Sequence, residues 1–407
     1  MSPPLSRRAF LATGAAAAGA GAGAGFGIGR QMADRNTIDP EVSPPRRQHA
    51  WNDALALDEH GNHVLPPYHR LVHFTIASRP SRADAESLEG TLRDLQRIPA
   101  TDSQRVLCTL GWGASYFERH TTIPTPVADA EPLSSFQTPN LDRYDACLHV
   151  TGGDDEELDA LIEALAEGTG PLASQIRRTP PVLEVAEVRA GFVGQGIPAE
   201  RQAVGGIPER RPVAVDAPLF MGFRSGFRRN QATEDDITIE TGLFTGGTTM
   251  HVSRMRLRLD SWYDLLDDNQ RAARMFSPMT QNADVTRLEN EAPTHADELP
   301  QSAQSEGVIG HLQATATARK DNRPLILRRD FNTTDDGQAG LHFVSLQRSV
   351  EDFNSTRRAM NAAATATESA GIDARTNNGI NEFIFVTNRA NYLIPPSPLR
   401  AFPYLDS

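Results

Sequence analysis

The chain has 407 residues and a formal charge of −12, long enough for two domains of ordinary size or one large one. The acidic balance, uninterrupted by any basic stripe, excludes nucleic acid as a partner. A hydrophobic fraction of 39%, with all three tryptophans beyond the extreme N-terminus, excludes a disordered chain. Lys320 is the sole lysine; codon bias or a salt-rich habitat explains this, and neither identifies a function.

In chain order, Ser6-Arg7-Arg8-Ala9-Phe10-Leu11 and the weakly apolar Ala/Gly stretch at 12–29 read as a twin-arginine export signal over residues 1–30. The stretch is too glycine-rich for a membrane span, which wants roughly 20 strongly apolar residues. The reading predicts passage through the twin-arginine translocation machinery to a periplasmic or extracellular location. An uncleaved signal would tether the protein, whereas no cysteine follows that a lipid anchor could use. Because this route carries folded proteins, it favours a cofactor loaded before export. Residues 31–67 read as a linker or extended arm, polar and proline-rich from 37 onward.

Order begins at 70–76, a predicted strand by its alternating β-branched and aromatic content. A helix is predicted over 82–95, strands over 105–111 and 147–152, and a helix over 154–167 whose acidic start suits the helix dipole. Strand, helix, strand, repeated, is the split βαβ grammar of a ferredoxin-like sheet. The second half repeats it: a strand at 251–259, a helix capped by Asp260 through Trp262, Leu265 and Leu266, a strand at 340–346 and a helix over 350–365. The polar span 277–305 is predicted to loop over the surface. Two related α+β domains, 68–215 and 216–407, are expected to meet near 212–218. Cys108 and Cys147 fall in strand-like apolar runs and are predicted to be buried free thiols, with a single disulfide left open. Neither belongs to CxxC or CxxCH, so covalent c-type haem attachment is excluded.

Four segments in consistent order resemble the dye-decolorizing peroxidases, haem proteins of two ferredoxin-like domains. They are Thr109-Leu110-Gly111-Trp112-Gly113-Ala114-Ser115; Gly222-Phe223-Arg224-Ser225-Gly226, similar to that family's GF-x-DG signature; Gly310-His311-Leu312 followed by Leu327-Arg328-Arg329; and the run from Gly340 to Arg348. The resemblance implies a dimeric α+β barrel type of fold, antiparallel sheets flanked by helices, and non-covalent haem b. It implies hydrogen peroxide and a small phenolic or dye-like donor as partners, and allows homo-oligomerisation. By the same resemblance His311 is the axial iron ligand, and its other ring nitrogen wants a carboxylate that the sequence does not reveal. Arg328 matches the distal arginine that stabilises negative charge on peroxide. Arg329 is the fallback, since a one-residue strand shift exchanges which side chain faces in.

Where the family's signature carries an aspartate, this chain has Ser225, which cannot act as a carboxylate base. Gly222, Phe223 and Gly226 keep the loop's backbone, and the resemblance places them with His311 and Arg328 among the cofactor-binding residues. Asp330, two residues beyond Arg328, would share its face and enter the distal pocket; the plainer alternative pairs it with Arg329 or solvent. Trp112, Trp262, Tyr263 and Tyr392 are electron-relay candidates by residue type only, and the helical spacing of Trp262 marks it as core. Three functional readings follow: an exported haem peroxidase with a weakened acid–base step, a haem-binding protein with little turnover in haem or iron handling, and a remnant of the fold without haem. No GxSxG, HExxH, P-loop or paired CxxC is present, and Gly246-Gly247 precedes a strand, so hydrolase, zinc-protease and nucleotide-loop readings have no support.

Overall fold

The computed structural model describes residues 47–98, 105–280, 294–369 and 371–405. The segment read as an export signal, the start of the arm and the middle of the 277–305 span lie outside these residues. In the first half, β1 (Tyr68–Ile76), α1 (Arg82–Arg97), β2 (Leu107–Trp112), β3 (Ala146–Gly152), α2 (Asp155–Glu167) and β4 (Leu183–Phe192) follow one another. The strands pair in the order β4-β1-β3-β2. The second half contributes β5 (Thr248–Leu257), α3 (His311–Thr315), β6 (Ile326–Arg328), β7 (Phe331–Thr333), β8 (Gly340–Gln347), α4 (Val350–Asn361) and β9 (Ile384–Ile394). Its order repeats the first, β9-β5-β8 with β6 and β7 end to end against β8. Both halves are therefore ferredoxin-like.

The two sheets close on each other. β4 meets β7 through Phe192 and Asn332, and β2 meets β9 through Trp112 and Leu393. Closure removes the unpaired edges that would otherwise template aggregation. Pro44–Ser407 accordingly forms one compact unit, and the two expected domains share one sheet.

Local chemistry explains the elements. Ser81 and Asp84 form a reciprocal capping box at the start of α1, and Asp154 accepts from the Glu157 N–H at the start of α2. The apolar faces of these helices, Leu88, Leu92 and Leu95 with Leu158, Leu161 and Leu165, pack on Val72, Phe74, Leu110, Leu148 and Val150. The opposite sheet face lines the barrel, where Leu71, Cys147, Phe331, Val344 and Tyr392 cluster. Both cysteines are free and buried, and burial pushes the Cys108 thiol up to about 11.

Two expectations need correction. Asp260 is not the cap of its helix: Leu259–Asp264 starts after Arg258, and Asp260 lies in the first turn, bonding the Ser261 N–H at 2.7 Å. The 277–305 span is not all loop, since Leu299–Glu306 is a helix ended by Gly307 in the left-handed region; its Ser and Gln content hid it. Trp262 is core, fully buried against Phe383.

Candidate functional site

The loop that carries Ser225 is shaped by glycine. Gly222 and Gly226 have φ of 86° and 81°, the left-handed region that other residues enter only with strain. Between them Phe223 meets the Phe276 ring edge-on at 5.4 Å, and the Ser225 hydroxyl donates to Asp330 Oδ2 at 2.7 Å. Asp330 stands at the break between β6 and β7, where its Oδ1 accepts the Val344 N–H at 3.1 Å. Burial pushes its carboxyl up to about 6, against the pull of Arg328 and the two hydrogen bonds. The plainer alternative for Asp330, pairing with Arg329 or solvent, is not what the structure contains.

Alternation along this short strand separates the two arginines. Arg328 faces the same cavity as Asp330, with its Nε buried and without a hydrogen-bond partner. Arg329 turns the other way. Its guanidinium lies 3.7 Å from the centre of the Trp51 ring and donates to the His49 carbonyl at 2.6 Å, with Glu234 at 3.4 Å. Arg329 holds the N-terminal arm.

His311 opens α3, and its place is fixed by backbone. The Ile309 N–H donates to the Asn377 carbonyl and the Gly379 N–H to the Ile309 carbonyl, both at 2.9 Å. Gly310 packs so tightly that a Cβ there would fall 2.1 Å from the Phe276 carbonyl oxygen. Burial, then the charges of Arg328 and Arg357, lower the His311 imidazole to about 3, so the ring is neutral at neutral pH. Its Nδ1 has no hydrogen-bond partner. No carboxylate orients this ring among the described residues, which leaves the acid sought from sequence unfound.

His311, Arg328, Asp330, Ser225 and Phe223 all line one cavity, with about 1450 Å³ of atom-free space including its mouth. Its walls are mainly apolar, including Leu219, Met221, Leu257, Phe343, Phe353 and Ile380. Gly222 and Gly226, expected among the cofactor-binding residues, shape the loop by their backbone and do not line the cavity, whereas Phe223 does.

Sequence reasoning missed the arm's role and two wall residues. Arg224 pairs with Asp58 of the arm; burial alone would raise the Asp58 carboxyl, but hydrogen bonds from Asn62 and Arg224 hold it at about 2. The Arg228 N–H donates to Asn62 at 2.9 Å, so the arm grips the Ser225 loop on both sides. Arg357 and Arg389 also reach the cavity. Their arginine identity on a helix and a strand gives no sign of burial, and only the packed loops around Glu131 and Ser134 create it.

The curated proteins contain no match to the sequence. Among solved structures, the chain is similar to the encapsulated DyP-type peroxidase from Mycobacterium smegmatis, with 15% identity, a TM-score of 0.57, and 83% of this chain and 95% of that one covered. It is similar to a DyP-type peroxidase from Cellulomonas bogoriensis, with 21% identity, a TM-score of 0.54, and 85% and 95% covered. A variant of DypB from Rhodococcus jostii in complex with heme gives 14% identity, a TM-score of 0.56, and 83% and 96% covered. The shared property is the fold. A model described as a family of unknown function (DUF7405) matches residues 66–396, and the chain belongs to that family, built on the fold of the DyP-type peroxidases.

Proposed function

We propose that the chain is a haem-dependent peroxidase that uses hydrogen peroxide to oxidise small phenolic or dye-like donors, exported folded by the twin-arginine route. The observation that carries the reading is the Ser225–Asp330 hydrogen bond in the cavity that also holds His311 and Arg328. The residues present fit a porphyrin. A neutral imidazole can ligate iron, the walls are apolar, and buried guanidinium nitrogens have no protein partner.

Haem b, bound without covalent attachment, would supply the redox chemistry. The protein's part is acid–base and electrostatic. Above about pH 6 the Asp330 carboxylate is ionised and can take a proton from peroxide, directly at Oδ2 or through the Ser225 hydroxyl bonded to it. Arg328 keeps an unengaged Nε–H that offers fixed positive charge to an oxygen gaining negative charge. Serine in the signature's acidic position thus removes a base from the loop, while Asp330 supplies one from the break between β6 and β7.

One observation favours the second reading, a haem-binding protein with little turnover. His311 Nδ1 lacks a partner, and an axial imidazole without a carboxylate behind it donates less electron density. The visible spectrum of protein purified after haem supplementation, with and without peroxide, separates the readings. A Soret band that changes with peroxide supports the peroxidase. A band that does not change leaves only the haem-binding reading, and no band leaves a remnant of the fold without haem.

A further inference from the structure

Buried arginines in this protein follow a rule with two exceptions. Arg70, Arg189, Arg274, Arg329 and Arg400 each face a carboxylate: Asp155, Glu187, Glu382, Glu234 and Glu89 respectively. Arg357 on α4 and Arg389 on β9 are 5% and 0% exposed, yet neither forms an ion pair among the described residues. Their hydrogen bonds go to neutral oxygens. Arg357 Nη2 donates to the Ser134 hydroxyl at 2.6 Å and Nη1 to Asn361, while Arg389 Nη1 donates to the Glu131 carbonyl at 3.4 Å. The Glu131 side chain is engaged by Asn354 and Arg358. Arg357 Nε, Arg389 Nε and Arg389 Nη2 are left without any partner.

Two unpaired positive charges side by side in a water-poor wall are costly. Burial, together with the charge of the neighbouring Arg389, lowers Arg357 to about 9, and burial lowers Arg389 to about 10 against the pull of Glu131. An anion that completed the pair would offset this cost, and both residues open onto the cavity that holds His311.

We infer that Arg357 and Arg389 form a carboxylate seat at one end of the cavity, fitted to a ligand that presents two carboxylates, or one shared between both guanidiniums, while its aromatic body lies along the apolar wall toward His311. Planar guanidiniums suit carboxylates because each can donate two parallel N–H bonds. Where the ligand is a porphyrin, its propionate side chains occupy the seat; this version rests on the proposed haem function. An aromatic carboxylic acid would fill the same seat without it.

Metal-free protoporphyrin IX tests the seat without iron ligation. Fluorescence titration of the wild-type protein should give binding roughly 10- to 100-fold tighter than for protoporphyrin IX dimethyl ester. The Arg357→Gln/Arg389→Gln double variant should bind both alike. Its apo form should melt at or above the wild-type temperature, since two unpaired buried charges are gone. Should the double variant unfold, Arg357→Lys and Arg389→Lys, which keep charge and lose the planar fork, should still weaken the diacid selectively. If the wild-type protein takes up neither porphyrin, titration with phthalate decides: a thermal shift lost in the double variant supports the seat and sinks the haem reading. Equal binding of diacid and diester by the wild type, or unchanged discrimination in the double variant, overturns the inference, as does a null result with porphyrin and phthalate alike.

Discussion

The two halves of the molecule share a strand order and differ in what lies between sheet and helices. In the first half, the face toward α1 and α2 is Val72, Phe74, Leu110, Leu148 and Val150, and the helices seal it. In the second, the corresponding face of β5, β8 and β9 carries Ser253, Phe343 and Arg389 at paired positions, with His251, Ser345 and Asn391 paired one step along. The first crossover of the first half is one continuous helix of 16 residues. Among the described residues, its counterpart in the second half is broken into Leu259–Asp264, Asp268–Met275, Leu299–Glu306 and α3. A continuous amphipathic helix must lie flat on its sheet to bury its stripe, whereas short pieces can stand off and leave a cavity. The topology thus tolerates both a packed core and a binding site, and side-chain polarity on one sheet face decides which.

The comparison predicts that substitutions in the hollow half alter chemistry more than folding. Its largest consequence is at His311. His311→Ala should abolish the iron–imidazole signature in the visible spectrum of haem-supplemented protein, and added imidazole should restore it. An unchanged Soret position would show that His311 is not the ligand.

Asp330→Asn is the next largest. General acid–base groups typically contribute 10²- to 10⁴-fold, and a loss of that size is expected in the rate of the spectral change on peroxide addition. The wild-type rate should rise with pH through about 6, as the buried carboxyl ionises, and that rise should vanish in the variant. Stability should move the opposite way. A carboxyl raised from 3.8 to about 6 binds its proton more tightly folded than unfolded. Its contribution is therefore complete below about pH 4 and lost as pH rises to 6. The Asn variant escapes that loss and should be more stable at pH 7 by on the order of 2–3 kcal/mol in urea unfolding.

How much of this was legible in the sequence follows the same division. The strands around Val72, Leu110, Leu148 and Val344 were readable because period-2 alternation places one apolar face on a core. β4 and β9 were not among the strands that this pattern picks out. Glu184, Glu187, Asn388, Arg389 and Asn391 interrupt the apolar alternation, and partners come from distant segments: Glu187 meets Tyr144, and Asn391 meets His251. Within the site, alternation alone separated Arg328 and Asp330 from Arg329, and the structure brings Ser225 to Asp330. The clasp of Asp58 on Arg224 and of Trp51 on Arg329 was beyond sequence reading, since each joins residues more than 150 positions apart.

The filled half should respond in the complementary way. Leu161→Ala removes a fully buried side chain from a sealed core and should cost about 2–5 kcal/mol in urea unfolding, with the haem spectrum unchanged. Ile380→Ala, on the cavity wall, should cost less, because the space it leaves joins a cavity already present. Equal losses at the two positions would mean that the second half is packed as tightly as the first.

Ser225→Ala is the smallest of these changes and the sharpest probe of the distal pair. It deletes one donor to Asp330 Oδ2 while Val344 keeps its bond to Oδ1. A hydrogen bond to the ionised carboxyl favours that form, so removing it should raise the carboxyl further. The rising limb of the rate against pH should then shift upward by about one unit. Above that limb the rate should return to within roughly tenfold of wild type, because Asp330 still has access to the cavity. If the hydroxyl instead carries the proton as an obligatory relay, the variant's rate stays low at every pH, and the shape of the profile rather than its midpoint distinguishes a tuning serine from a shuttling one.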